Sequence, residues 1–108
     1  MIEAKEARER SEQIVREKQI TWAKEIDERL PEILGNIEND IMIAIEKGET
    51  VAYYSPSHSS WDKTLQEYKV VKEKLEKMGY IVGDLQFYRQ FDDQDEPISE
   101  WNAYIRWT

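Results

Sequence analysis

An apolar stripe constrains this chain more than any other feature. It runs at steps of three and four through Trp22, Ile26, Leu30, Ile33, Ile37, Ile41 and Ala44/Ile45. That spacing puts about one side chain per turn on a single face, the pattern of an amphipathic helix. Pro31 interrupts the stripe, because proline lacks a backbone donor and crowds the preceding turn. The phase is nevertheless the same on both sides. The expectation is two helical segments, 3–29 and 31–47, nearly collinear or bent at the proline; one long kinked helix is the other reading. In the first case Pro31 stands in the first turn of the second segment, with Glu32 beside its positive end. Gly48 after Lys47 supplies a C-terminal stop.

Residues 3–20 carry only a thin seam of Ala4, Ala7, Ile14 and Val15, flanked by the i,i+4 pairs Glu6/Arg10 and Glu12/Arg16. A helix with so little to bury gains little from its own domain. Residues 1–20 are therefore expected to form a solvated helical extension, open to oligomerisation or to docking on a partner.

After Gly48, Thr50-Val51-Ala52-Tyr53-Tyr54 is β-branched and aromatic and reads as a short strand. Ser55 to Ser60 reads as a loop. Trp61, Leu65, Tyr68, Val71, Leu75 and Met78 then repeat at helical spacing up to Gly79. This predicts a helix over 60–78, with Ser59 or Ser60 as its cap and Asp62 at its positive end. Tyr80 to Phe91 and Ile98 to Trp107 alternate, and Asp92-Asp93-Gln94-Asp95-Glu96-Pro97 joins them as an acidic hairpin loop. The expected fold is one α+β domain over residues 1–108, in the order α-α-β-α-β-β, with a small three-stranded antiparallel sheet packed on helices.

Alternation also assigns the sheet's two faces. Ile81, Leu85, Phe87 and Phe91 of one strand, and Trp101, Ala103, Ile105 and Trp107 of the other, are expected to meet the helices. The opposite face would carry Asp84, Gln86, Tyr88 and Gln90, facing Asn102, Tyr104 and Arg106. One of Tyr53 and Tyr54 must join them; Tyr54 is counted with this set. Aromatic rings with amides and an arginine suit an interface or a ligand platform, although cross-strand aromatic pairs also stabilise a solvated face. The candidate contact residues are Tyr54, Gln86, Tyr88, Asn102, Tyr104 and Arg106, with Asp92, Asp93, Asp95 and Glu96 of the hairpin loop.

Fifteen basic against 23 acidic residues leave a net charge of −8. The excess lies in residues 21–50 and 81–108, whereas residues 1–20 are balanced. Such a surface disfavours direct nucleic-acid binding and suits a basic protein partner. The absence of cysteine excludes disulfides and thiolate chemistry. No apolar run approaches the roughly 20 residues of a membrane span. The opening Met1-Ile2-Glu3-Ala4 carries no secretory apolar segment, so the expected compartment is the cytoplasm. His58, the one histidine, stands among serines but reads as a loop residue before a helix cap. The acidic loop misses the calcium-hand pattern: counted from Asp93, the glycine and glutamate positions hold Ile98 and Tyr104. No phosphate loop, zinc motif or nucleotide fingerprint occurs. The expectation is a protein without cofactor, metal or enzymatic activity.

Four stretches resemble small accessory proteins of phages and prophages: Glu3-Ala4-Lys5-Glu6-Ala7-Arg8-Glu9-Arg10-Ser11; Ile37-Glu38-Asn39-Asp40-Ile41 leading to Ala44-Ile45-Glu46-Lys47-Gly48; Leu75-Glu76-Lys77-Met78-Gly79-Tyr80-Ile81-Val82; and Ile105-Arg106-Trp107. The resemblance implies a phage-type product that acts on host machinery, including antiviral defences, in the host cytoplasm. No residue's role comes with it. The leading expectation is thus a non-catalytic protein that inhibits a host defence or regulatory factor by occupying its surface. The alternatives are an oligomeric sponge for a nucleotide messenger and a small assembly protein that oligomerises through its N-terminal helix.

Overall fold

A computed structural model describes residues 1–56, 58, 60–91 and 97–108, with side chains described outside 88–100. The chain is α+β, with α1 (Ala4–Glu46), β1 (Val51–Tyr54), α2 (Trp61–Lys77), β2 (Ile81–Val82), β3 (Gln86–Phe91) and β4 (Pro97–Arg106).

The first half is one continuous helix of 43 residues with Pro31 inside it, rather than the two segments the proline suggested. Its buried positions are Ile26, Leu30, Ile33, Ile37, Ile41 and Ala44, the stripe that keeps its phase across the proline. One uninterrupted packing face on both sides of Pro31 outweighs the loss of a single backbone hydrogen bond. At 1.5 Å per residue the helix is about 65 Å long, and it sets the longest dimension of the molecule, 63 Å. Its N-terminal part projects beyond the body, with Ile14, Val15 and Ile20 exposed.

Both helices end on a left-handed glycine, Gly48 (φ 76°) and Gly79 (φ 96°). At the first end Glu49 N–H donates to Ala44 and Gly48 N–H to Ile45; at the second Tyr80 N–H donates to Leu75 and Gly79 N–H to Glu76. These paired bonds close the last carbonyls and turn the chain back toward the sheet. At the start of α2, Ser60 makes no side-chain cap; instead Thr64 Oγ1 donates to Ser60 O at 3.0 Å. Ser59, the other expected cap, lies outside the described residues.

The central strand is β4, bordered by β1 on one side and by β2 and β3 on the other, all antiparallel. The first strand of the expected hairpin is broken. Val82 pairs with Ile105, but Gln86 pairs with Asn102, one residue out of step. An extra residue is accommodated at Asp84-Leu85, a bulge that shifts the alternation by one. Val82 is consequently buried while Ile81 is 46 % exposed, the reverse of the expected facing at this end of the strand. Beyond the bulge Leu85 and Phe87 return to the helix side, as alternation required, opposite Trp101 and Ala103.

The core joins Leu30, Ile33, Ile37 and Ile41 of α1 to Tyr68, Val71 and Leu75 of α2, over Ala52, Tyr54, Val82, Ala103 and Ile105 of the sheet. Val71 and Ile105 are fully buried, each contributing about 1.5–3 kcal/mol of burial. Tyr68 Oη donates to Gly83 O at 2.5 Å and ties α2 to the β2 end of the sheet. Gln66 Nε2 donates to Gln19 O, and Lys63 pairs with Glu25 at 2.5 Å, which fix α2 to the middle of α1. The helix-facing rings beyond this cover form a row of their own. Trp61 lies 4.3 Å and Phe87 5.0 Å from Trp101, centroid to centroid. Phe87 is half exposed, because neither helix reaches β3.

Candidate binding surface

Both helices pack on the same face of the sheet. The other face is built by β4, whose Asn102, Tyr104 and Arg106 point away from the core between the buried Ala103 and Ile105. Tyr53 stands directly opposite Tyr104, Arg106 lies between Val51 and Ile81, and Gln86 faces Asn102. Tyr104 covers Gly83: a β-carbon there would come within 2.2 Å of the ring. The guanidinium of Arg106 sits 5.2 Å from the same ring's centroid, at cation–π distance. Glycine, ring and guanidinium therefore stack in a short column across two strands, with Tyr53 (59 % exposed) beside it.

Of the residues expected on this face, Gln86, Asn102, Tyr104 and Arg106 occupy it. Tyr54 does not; it is 7 % exposed in the core, and Tyr53 takes its place. The register decides this, since Tyr54 pairs with buried Ala103 and Tyr53 with Tyr104. Tyr88 pairs with Glu100 through its backbone, and its side chain lies outside the described residues, as do Asp92, Asp93, Asp95 and Glu96 entirely. Arg106 is the one cation of the described open face.

The displaced tyrosine leads to a buried polar group not foreseen from sequence. Tyr54 Oη donates to one oxygen of the Glu67 carboxylate, and His58 Nε2 lies 3.0 Å from the other. The Glu67 and His58 side chains are only 6 % and 9 % exposed. The carboxylate thus has a partner at each oxygen, a phenol at one and an imidazole nitrogen at the other. Burial, followed by the bond to Glu67 and its charge, pushes the Tyr54 phenol well above its ordinary value; Arg29 acts in the opposite sense. The arrangement ties Tyr54 at the end of β1, and His58, to α2. A cleft of about 280 Å³ opens beside it, lined by Arg29, Ile33, Asn36, Ile37, Tyr54, Ser55 and Glu67. One sequence signal for this group exists: Glu67 stands three residues after Thr64 and four before Val71, in phase with the core face of α2.

Among the described residues no group of three His, Asp or Glu side chains could hold a metal ion, and no helix is long and apolar enough to cross a membrane. Comparisons with protein-family models, curated proteins and solved structures found no match. The functional reading therefore rests on the surface itself.

Proposed function

We propose that this chain is a non-catalytic binding protein that docks on another protein through the open face of its sheet. The observation that carries the reading is the uncovered set of Tyr53, Tyr104 and Arg106, two aromatic rings and a guanidinium with hydrogen-bonding ends on a sheet support. Tyrosine and arginine are among the residue types on which binding energy concentrates, tyrosine because it buries area at low entropic cost and arginine because its planar guanidinium makes several hydrogen bonds at once. The net charge of −8 favours a partner with a basic surface. Joined to the resemblance to phage accessory proteins, this gives an inhibitor that occupies a host defence or regulatory factor.

The test is recovery of a dominant host protein by the intact chain and its loss with a Tyr53→Ala/Arg106→Glu variant. That variant leaves Tyr104 on Gly83, so its folding should match the parent by circular dichroism. Equal recovery by a folded variant overturns the reading. A second reading, self-assembly, is favoured by the projecting N-terminal part of α1, whose Ile14, Val15 and Ile20 contact nothing within the chain's core.

A further inference from the structure

The open face ends at Tyr53, and at Tyr53 it meets a free sheet edge. Gly83 N–H donates to Tyr104 O, so the backbone groups of Tyr104 point toward β2. In an antiparallel ladder neighbouring residues alternate, so Ala103 and Ile105 direct theirs toward β1. Their partners are Tyr54 and Ala52. Val51 and Tyr53 therefore turn their N–H and C=O groups outward, and among the described residues no backbone bond takes them up. Strand edges of this kind are usually blunted by proline, lysine or an overlying element; β1 has the sequence VAYY and carries neither residue.

A groove of about 260 Å³ runs beside that edge. It is lined by Ile43 and Ala44 of α1 and Val51 to Tyr53 of β1, with two carboxylates, Asp40 and Glu49, and one ammonium group, Lys47. The stretch of sequence that builds it, residues 38–51, carries Glu38, Asp40, Glu46 and Glu49 against Lys47, and none of the five is ion-paired among the described residues. Two copies joined edge to edge would set one acidic groove against another. A basic strand meets opposite charge instead.

We propose that the free edge of β1 accepts an extended segment of the partner protein as an added strand, with its apolar side chains in the groove against Ile43 and Ala44 and flanking Lys or Arg residues against Asp40 and Glu49. Backbone bonds to Val51 and Tyr53 supply affinity, and the groove supplies selectivity. The outer edge of β3 offers the same backbone groups but no helix wall beside it. The proposal deepens, and rests on, the reading of the chain as a protein-binding module.

The experiment uses the full chain and three nine-residue peptides: alternating Lys and Val, alternating Glu and Val, and alternating Lys and Pro. Amide exchange followed by NMR should show the Lys/Val peptide slowing exchange at Val51 and Tyr53 by about tenfold or more, with no effect of the other two. Tyr53→Pro removes the outward donor without taking a bond from the sheet, an edge position where proline is tolerated. It should weaken binding at least about tenfold relative to Tyr53→Ala, which removes the same ring and keeps the N–H. Should Tyr53→Pro not fold, the exchange pattern of the parent protein decides. Equal protection by the Glu/Val peptide, protection confined to β3, concentration-dependent protection without peptide, or undiminished binding by folded Tyr53→Pro overturns the proposal. Loss of the edge result while partner recovery still depends on Tyr53 and Arg106 refutes the strand addition alone; recovery independent of both refutes the underlying reading.

Discussion

The ring of Tyr104 lies on the α-carbon of Gly83, leaving no room for a β-carbon: one placed there would be 2.2 Å from Cε1. Gly83 is required by this contact and not by its backbone, since its φ lies outside the left-handed region. Gly83→Ala should drive the ring aside and cost about 1–3 kcal/mol, read as a lower urea midpoint with an unchanged slope. It should also loosen Arg106 and weaken partner binding. A variant as stable as the parent would show that the ring does not rest there.

The Glu67 clamp should be a main stabilising polar feature of the fold. Glu67→Ala leaves the Tyr54 hydroxyl and His58 Nε2 without their partner, at a cost of about 3 kcal/mol. Glu67→Gln keeps the shape and should cost less. Urea unfolding at neutral pH ranks the two.

Tyr54 makes stability fall in alkali. Its phenol titrates near 10 when unfolded and higher when folded. The folded state therefore holds the proton more tightly. Its contribution is intact below pH 10 and declines as pH rises past 10, by at most about 1.4 kcal/mol per pH unit. Tyr68, also raised chiefly by burial, adds in the same direction, so the comparison is with Tyr54→Phe. The parent should exceed that variant by about 1–3 kcal/mol at pH 8, and the gap should narrow between pH 10 and 11. A constant gap would remove the titration from the account.

Pro31→Ala should stabilise the protein. The proline is exposed inside α1 and withholds one helix hydrogen bond; alanine restores it and has the better helix propensity, a gain of about 1–3 kcal/mol. Thermal unfolding measures it. A loss would mean that the core depends on a bend at this turn.

Residues 1–17 lie before Gln19, the first residue of α1 bonded to α2. Deleting them should leave the free energy of urea unfolding within about 0.5 kcal/mol of the parent. Light scattering on the same pair tests self-assembly: a smaller oligomer in the truncated chain supports it, and an identical mass removes it.

Periodicity reads well where one element packs on one face. The stripe from Ile26 to Ala44, the core residues of α2, and the alternation of Ala103 and Ile105 are all legible because helix and strand repeats force side chains to one side. Gly48 and Gly79 mark helix ends for an equally local reason, the left-handed turn that each adopts. The α+β class and the succession of helical and strand regions follow from these residues alone, though not the number of elements in each. So do Gln86, Asn102, Tyr104 and Arg106 on the open face.

What depends on contacts between distant residues was not legible. Whether Pro31 breaks a helix depends on a core that continues past it. Which of Tyr53 and Tyr54 turns inward depends on register with β4, fixed only when Tyr54 meets Ala103. The bulge at Asp84-Leu85 exposes Ile81 and buries Val82 because β2 and β3 must both pair with one long strand. His58 and Glu67 lie nine residues apart, and their bond exists only because Tyr54 brings β1 against α2. Local sequence determined the elements and their faces, since those follow from backbone geometry. Tertiary packing decided register, burial and polar pairing, since each is a competition among partners far apart in the chain.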